Sequence, residues 1–358
     1  MSFEPARFDP DTSIQVNLAS DTQTLPTAGM KAAMMEARLG DEQAGSDPTV
    51  WALCDRVAAL LGKQAAMFLP SGTMANQIAI ATHCRPGDEV LAHEEAHIIT
   101  SEAGACQAIA GVMLYGLPGA QGQFDVEALA SAIRPRNRYS PPQRLLAVEQ
   151  TANRGGGACW RVERLNAVSG LAHAQGMATH MDGARLLNAA VALGVAPAEI
   201  AAGFDTVWLD FTKGLGAPLG AVLCGTSAFI GEAWRWKQRL GGSLRQGGIC
   251  AAACLYALDH HVDRLADDHA NARRLARDLS QVAGLRVETP ETNLVFFDTE
   301  ETGMPAGELA AKLRARGVLI STAGRYRGRA CLHLDVTEKQ VEEAVAAFQD
   351  ALAIPATT

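Results

Sequence analysis

Trp208-Leu209-Asp210-Phe211-Thr212-Lys213-Gly214-Leu215-Gly216-Ala217-Pro218 sets a single lysine between an apolar strand and a glycine-rich turn. Lysine is costly to bury in such company unless it is neutralised, and an imine with an aldehyde neutralises it. The plainer reading, a surface lysine in a loop, fits poorly because small or apolar residues flank Lys213 on both sides.

Working outward, the apolar run entering this stretch (206–209) is one of several. Residues 145–148 and 220–224 are likewise short and apolar, and 178–181 (Ala-Thr-His-Met) reads as a further buried strand. Helical patterns lie between them, at 162–175 ending before Gly176 and at 186–193 ending before Gly194. Buried strands alternating with helices predict an α/β fold with a mainly parallel central sheet covered on both faces. After about Ala252 the texture changes. A long helical stretch (263–282) precedes alternating segments at 285–288 and 293–298, a helix at 306–316, and strands near 318–321 and 330–335. A last helix opens at Thr337, a good N-cap with Glu338 in its first turn. The expected organisation is an N-terminal extension (1–16), a large domain (17–255) and a smaller C-terminal α+β domain (256–358), joined through a helix.

The 358 residues are 48% hydrophobic and 20% charged, the balance of an ordinary globular enzyme. Net charge is -8 with dispersed basic residues, which argues against a nucleic-acid surface. No run approaches the length of a membrane span, and Met1 to Asp11 has neither the apolar core nor the cleavage site of a signal peptide. Eight cysteines without any CxxC pair read as reduced core thiols of a cytoplasmic protein.

Two further stretches carry chemistry. In Phe68-Leu69-Pro70-Ser71-Gly72-Thr73-Met74-Ala75-Asn76 an apolar run meets Ser-Gly-Thr and continues into a helical pattern. Hydroxyls, a glycine and a helix N-terminus together suit a phosphate, although alone the string reads more simply as an N-cap. His180-Met181-Asp182-Gly183-Ala184-Arg185 ends a strand, where parallel sheets gather ligands. An acid there either caps the next helix or faces a pyridinium nitrogen and keeps it protonated.

The order of the three, with Lys213 standing 31 positions after Asp182, resembles the aspartate-aminotransferase-like fold of pyridoxal-phosphate enzymes. Further segments make the resemblance closer: Ala19-Ser20-Asp21-Thr22, Gly40-Asp41-Glu42, Asp47-Pro48-Thr49-Val50, Ala96-His97 and Glu102-Ala103-Gly104-Ala105. Gly241-Gly242-Ser243-Leu244-Arg245-Gln246 and Leu332-His333-Leu334-Asp335 complete the set. From about residue 17 onward the chain resembles the low-specificity L-threonine aldolase family of the β-eliminating lyase group. That resemblance implies a pyridoxal 5'-phosphate enzyme that cleaves a β-hydroxy-α-amino acid (L-threonine, L-allo-threonine or a phenylserine-like analogue) to glycine and an aldehyde.

Roles are implied by the same resemblance. Lys213 is the Schiff-base lysine and Asp182 the partner of the pyridine nitrogen. Ser71, Gly72 and Thr73 form the phosphate loop, and Glu149 lies near the cofactor. His97 stacks on the ring near the substrate hydroxyl, and Arg185 and Arg329, with Ser20 beside them, hold the substrate carboxylate. On spacing alone Arg325, Arg327 and Arg329 serve equally. Arg245 resembles a residue that reaches a neighbouring subunit's phosphate, implying a homodimer or homotetramer with shared sites; it reads equally as a surface salt-bridge residue. No ligand cluster for a metal stands out.

The chain departs from the family pattern at Ala19, at Ala44 and at Ala152, where the family has Arg, Tyr and His. The last change leaves His97, or a water, as base for the β-hydroxyl and is expected to enlarge the pocket. Other reactions on the same scaffold, namely β-elimination, racemisation and transamination, remain the alternatives. A non-enzymatic regulatory module lacks the basic helix-turn-helix that would accompany it.

Overall fold

The apolar runs become the strands of a seven-stranded sheet in a computed structural model that describes residues 13–353. Across the sheet the order is Ala65–Leu69, Ala221–Gly225, Thr206–Asp210, Ala178–Gly183, Gln143–Glu149, Glu89–His93, Met113–Leu117. Only Ala221–Gly225 runs antiparallel to its neighbours, so the sheet is mainly parallel as expected. Both faces are covered. Leu146 and Val148 pack into one core with Phe68, Met181 and Val207, whereas Leu145 and Ala147 alternate into another with Val90 and Ala92. That period-2 split on continuously apolar strands marks a sheet buried on both sides.

Register aligns the strand ends. Glu149 pairs with Asp182 and Asp182 with Trp208, so these three residues stand side by side near the strand carboxyl ends.

A four-stranded antiparallel sheet in the order Ser321–Thr322, Arg327–Cys331, Leu294–Asp298, Arg286–Val287 forms the second unit. Helices Leu265–Leu279, Ala306–Arg314 and Glu338–Leu352 pack on it, the last opening on a capping box between Thr337 and Gln340. Two differences from the sequence expectation have local causes. The strand expected at 330–335 lies at Arg327–Cys331, because Phe297 packs against Gly328 and the pairing with Leu294–Asp298 runs through this segment. The single strand expected at 318–321 is two: Val318–Leu319 pairs in parallel with Val16–Asn17, and Ser321–Thr322 pairs with Arg329 and Gly328.

Packing changes over inside the helix Leu265–Leu279. Leu265 belongs to the large core, while Ala272 and Leu275 join the small one, together with Val16 and Leu18. Helix Gly248–His260 straddles position 255/256, with Ala257 in the large core. The expected extension, 1–16, lies mostly outside the described residues. All eight cysteines are unpaired, six of them buried. Among the described residues no helix is long and apolar enough to cross a membrane.

Candidate active site

The strand ends enclose a cavity of about 300 Å³ lined by Asp182, Lys213, His97, Glu149, Ser71–Thr73 and the two arginines Arg185 and Arg329. The three stretches singled out in the sequence thus converge. Lys213 follows the strand Thr206–Asp210 and points its Nζ at Asp210 Oδ2, 2.7 Å away, and over the Trp208 ring at 5.8 Å. The turn behind it holds by backbone geometry: Gly216 takes φ +75°, a left-handed conformation that favours glycine. The Lys213 carbonyl accepts the Thr24 hydroxyl at 2.8 Å.

Asp182 is buried at the cavity floor. Its Oδ1 accepts the Ala184 amide at 3.1 Å within the turn, so it does not cap the next helix, Leu186–Leu193, whose N-cap position is Arg185. Its Oδ2 accepts Asn76 Nδ2 at 2.8 Å. Burial, followed by the nearby charge of Glu149, raises its carboxyl above the ordinary range, while Lys213 and the Asn76 bond pull it back.

His97 sits at the start of the short helix His97–Thr100, where its backbone N–H donates to Glu149 Oε2 at 2.9 Å. Its Nδ1 meets Glu102 Oε1 at 2.8 Å. That bond raises the imidazole pKa against the opposing effect of burial. With Nδ1 committed, Nε2 is the nitrogen left for proton transfer. Glu149 also accepts the Asn153 amide at 2.8 Å, so this carboxylate orders two pieces of the rim.

At one end, Ser71 caps the helix Gly72–His83 by accepting the Met74 amide at 3.2 Å. Gly72 lies so close to the Trp208 indole that an added Cβ would come within 2.0 Å of a ring carbon. Ser71 is exposed and Thr73 lies with it on the cavity edge, at a helix N-terminus that favours an anion.

At the other end, Arg329 is fixed by Ser321 Oγ at 3.0 Å, Asn153 Oδ1 at 2.9 Å and the Ala19 carbonyl at 3.1 Å. The choice among three arginines is thereby settled for cavity lining: Arg327 pairs with Glu288, and Arg325 stacks over Tyr326. Arg185 Nε and Nη2 are taken by Asp21, and Ser20 lies on the rim beside Thr22.

One expectation fails. Ala152 does not open the cavity; it is buried, bridges to Ala158, and packs on Gly122, where an added Cβ would come within 2.3 Å of its methyl. Asn153, next in the chain, faces the cavity instead. Arg245 is absent from the cavity lining of its own protomer; it is exposed and pairs with Asp41 at 3.0 Å.

Sequence reasoning missed Asn76, Glu102 and Asp21 as working residues. His97, Glu102 and Asp182 have donor atoms within 4.8 Å of one another, close enough for a cation. Those atoms are spent on each other and on Asn76, so the cluster reads as a hydrogen-bonded brace. The donor set as a whole fits a flat phosphorylated pyridine aldehyde: an amine, a buried acid, an imidazole to cover the ring and a helix N-terminus for the phosphate.

A family model described as beta-eliminating lyase matches residues 17–302. Low-specificity L-threonine aldolase 1 of Arabidopsis thaliana is 38% identical over 344 residues, 94% of this chain and 96% of that one. The low specificity L-threonine aldolase of Escherichia coli (strain K12) is 38% identical over 339 residues, 94% of this chain and 99% of that one. The solved threonine aldolase of Leishmania major superposes with a TM-score of 0.82 at 22% identity, covering 94% of this chain and 100% of that one, a likeness of fold. The beta-eliminating lyases are pyridoxal-phosphate-dependent enzymes. The chain belongs to this beta-eliminating lyase family, within which it groups with the low-specificity L-threonine aldolases.

Proposed function

We propose that this protein holds pyridoxal phosphate on Lys213 and cleaves a β-hydroxy-α-amino acid to glycine and an aldehyde. The observation that carries the reading is the juxtaposition of Lys213 and buried Asp182 on one cavity floor, with His97 and Arg329 on its walls. The threonine aldolases among its relatives supply the substrate class.

When bound, the cofactor supplies an electron sink for the pair released from the Cα–Cβ bond. Lys213 would hold its aldehyde carbon, Asp182 its ring nitrogen, and Ser71, Gly72 and Thr73 its phosphate, with His97 covering the ring. Arg329 grips the substrate carboxylate and Arg185 completes the clamp beside Ser20; a fixed carboxylate sets which bond at Cα is aligned for cleavage. His97 Nε2 takes the β-hydroxyl proton, directly or through a water, as the bond to Cβ breaks and the aldehyde forms. A proton delivered to Cα then completes glycine.

In this reading the chain acts as a homodimer or homotetramer, with Arg245, exposed and paired with Asp41 in its own chain, as the residue that would reach a neighbouring subunit's phosphate. Eight unpaired cysteines support a cytoplasmic location. Incubation with L-threonine, L-allo-threonine and phenylserine tests the reading. Glycine and the matching aldehyde in equal amounts from at least one of them is the expected result; pyruvate or racemised amino acid without glycine would refute it.

A further inference from the structure

We infer that Asn76 is a positioning residue whose amide, locked in one orientation by Trp208 and His180, holds Asp182 for the cofactor's ring nitrogen. The inference rests on the proposed cofactor. Asn76 is fully buried on the helix Gly72–His83, and both ends of its amide are hydrogen-bonded. Trp208 Nε1 lies 2.7 Å from its Oδ1. Indole N–H only donates, so the atom it meets must be the amide oxygen. The Nδ2 group is thereby turned toward two carboxylates, Glu102 Oε1 at 2.7 Å and Asp182 Oδ2 at 2.8 Å. It has two hydrogens, one for each.

The opposite orientation would set Oδ1 against both carboxylates and a donor against a donor. His180 strengthens the lock. Its Nε2 meets Oδ1 at 3.1 Å and its Nδ1 meets the Thr206 hydroxyl at 2.9 Å, so the proton belongs on Nε2. Burial pushes this imidazole down to about 3, which keeps it neutral beside the acid cluster. Asn76 thus ties Asp182 to Glu102, the residue that also orients His97. The groups that face Asp182 are then Glu149 from one neighbouring strand, Lys213 after the other, His97 and Glu102 through Asn76. Of these only Lys213 and a protonated His97 favour the carboxylate form, and Asn76 on Oδ2, with the Ala184 amide on Oδ1, adds a neutral donor that does so at any pH.

The test measures the pyridoxal phosphate dissociation constant of wild type, Asn76→Asp and Trp208→Phe by equilibrium dialysis across the neutral and mildly acidic range. Asn76→Asp keeps the shape and replaces the donor with a carboxyl that also adds like charge beside Asp182 and Glu102. Trp208→Phe adds no charge, so it is the arm that isolates the orientation lock. Asn76→Asp should weaken binding by about tenfold or more, the equivalent of one pKa unit, and move the pH at which binding is lost upward. Trp208→Phe removes the lock and should move the same midpoint in the same direction by less. A purely structural role would weaken binding by one factor at every pH, and that outcome, or wild-type binding in both variants, overturns the inference. If Asn76→Asp does not fold, an unmoved midpoint in Trp208→Phe is sufficient to reject it. A wild-type protein that does not bind pyridoxal phosphate would instead remove the cofactor proposal beneath it.

Discussion

Asp21 holds Arg185 through two parallel bonds, Nε to Oδ2 and Nη2 to Oδ1, each 2.7 Å, with both side chains buried. Asn293 Nδ2 adds a third bond to Asp21 Oδ2 at 3.1 Å. The N-terminal segment, the strand-end motif of the large sheet and the start of an inner strand of the small sheet therefore meet at one ion pair. A guanidinium gripped in this way reaches the cavity with its direction already set.

Asp21→Asn leaves Arg185 buried opposite a neutral group. Loss of one partner of a buried pair costs about 3–5 kcal/mol, readable as a lower denaturant midpoint. Burial opposes ionisation of Asp21, yet the Arg185 charge and its hydrogen bonds hold this carboxyl well below the usual range. Its contribution is therefore present above the unfolded carboxylate pKa and lost as pH falls toward the lower folded value. The variant should show a shallower loss of stability on the acid side than wild type.

Glu102→Gln should lower the His97 pKa, because the bond from Glu102 is the largest influence raising it. In the proposed role His97 works as a base in its neutral form, so the rate should fall as pH drops through that pKa. The acid limb of kcat should shift to lower pH in the variant. An unmoved limb would show that another group takes the hydroxyl proton.

Arg329→Lys trades a planar fork for a point charge at a site with three fixed acceptors. Weaker carboxylate binding should raise KM by about ten- to a hundredfold, as expected for losing a charge-assisted bond. Pyridoxal phosphate affinity should not change, and a matched drop in that affinity would place Arg329 on the cofactor instead.

Gly72→Ala drives a methyl into the Trp208 indole. Overpacking of this kind costs about 1–3 kcal/mol, and the shifted indole should also lower cofactor affinity. A variant with wild-type melting temperature and affinity would mean that the close approach is relieved without consequence.

The large sheet was legible because strands buried on both faces are predominantly apolar, as residues 145–148 and 207–209 are. The run 178–181 nonetheless carries Thr179 and His180, both buried and hydrogen-bonded. Lys213 and Asp182 stood out because each lies at or just past the end of such a strand. Asp182 alone read equally as a cap, and it is their order together with Ser71–Thr73 that pointed to the cavity they line. The small sheet was misplaced at 330–335, where pairing with Leu294–Asp298 and the fit of Phe297 on Gly328, long-range terms, decide the strand. Asn76 carries no local signature, since a buried amide acquires meaning only from partners 26, 106 and 132 positions away. Glu102, though five positions from His97, shows nothing in sequence to say that the two side chains meet. Ala152 misled because a substitution seen in sequence says nothing about which way the residue faces. Its neighbour Asn153 took the place on the cavity wall.

The claim that Lys213 anchors the cofactor is tested most directly by borohydride treatment of the pyridoxal-phosphate-loaded protein, with peptide mass mapping of the product. Reduction fixes the cofactor to whichever lysine holds it. A single phosphopyridoxyl adduct on the peptide containing Lys213, absent from Lys213→Ala, is the predicted result. An adduct on another lysine, such as Lys237 buried against Glu42, or no adduct at all, would contradict the account.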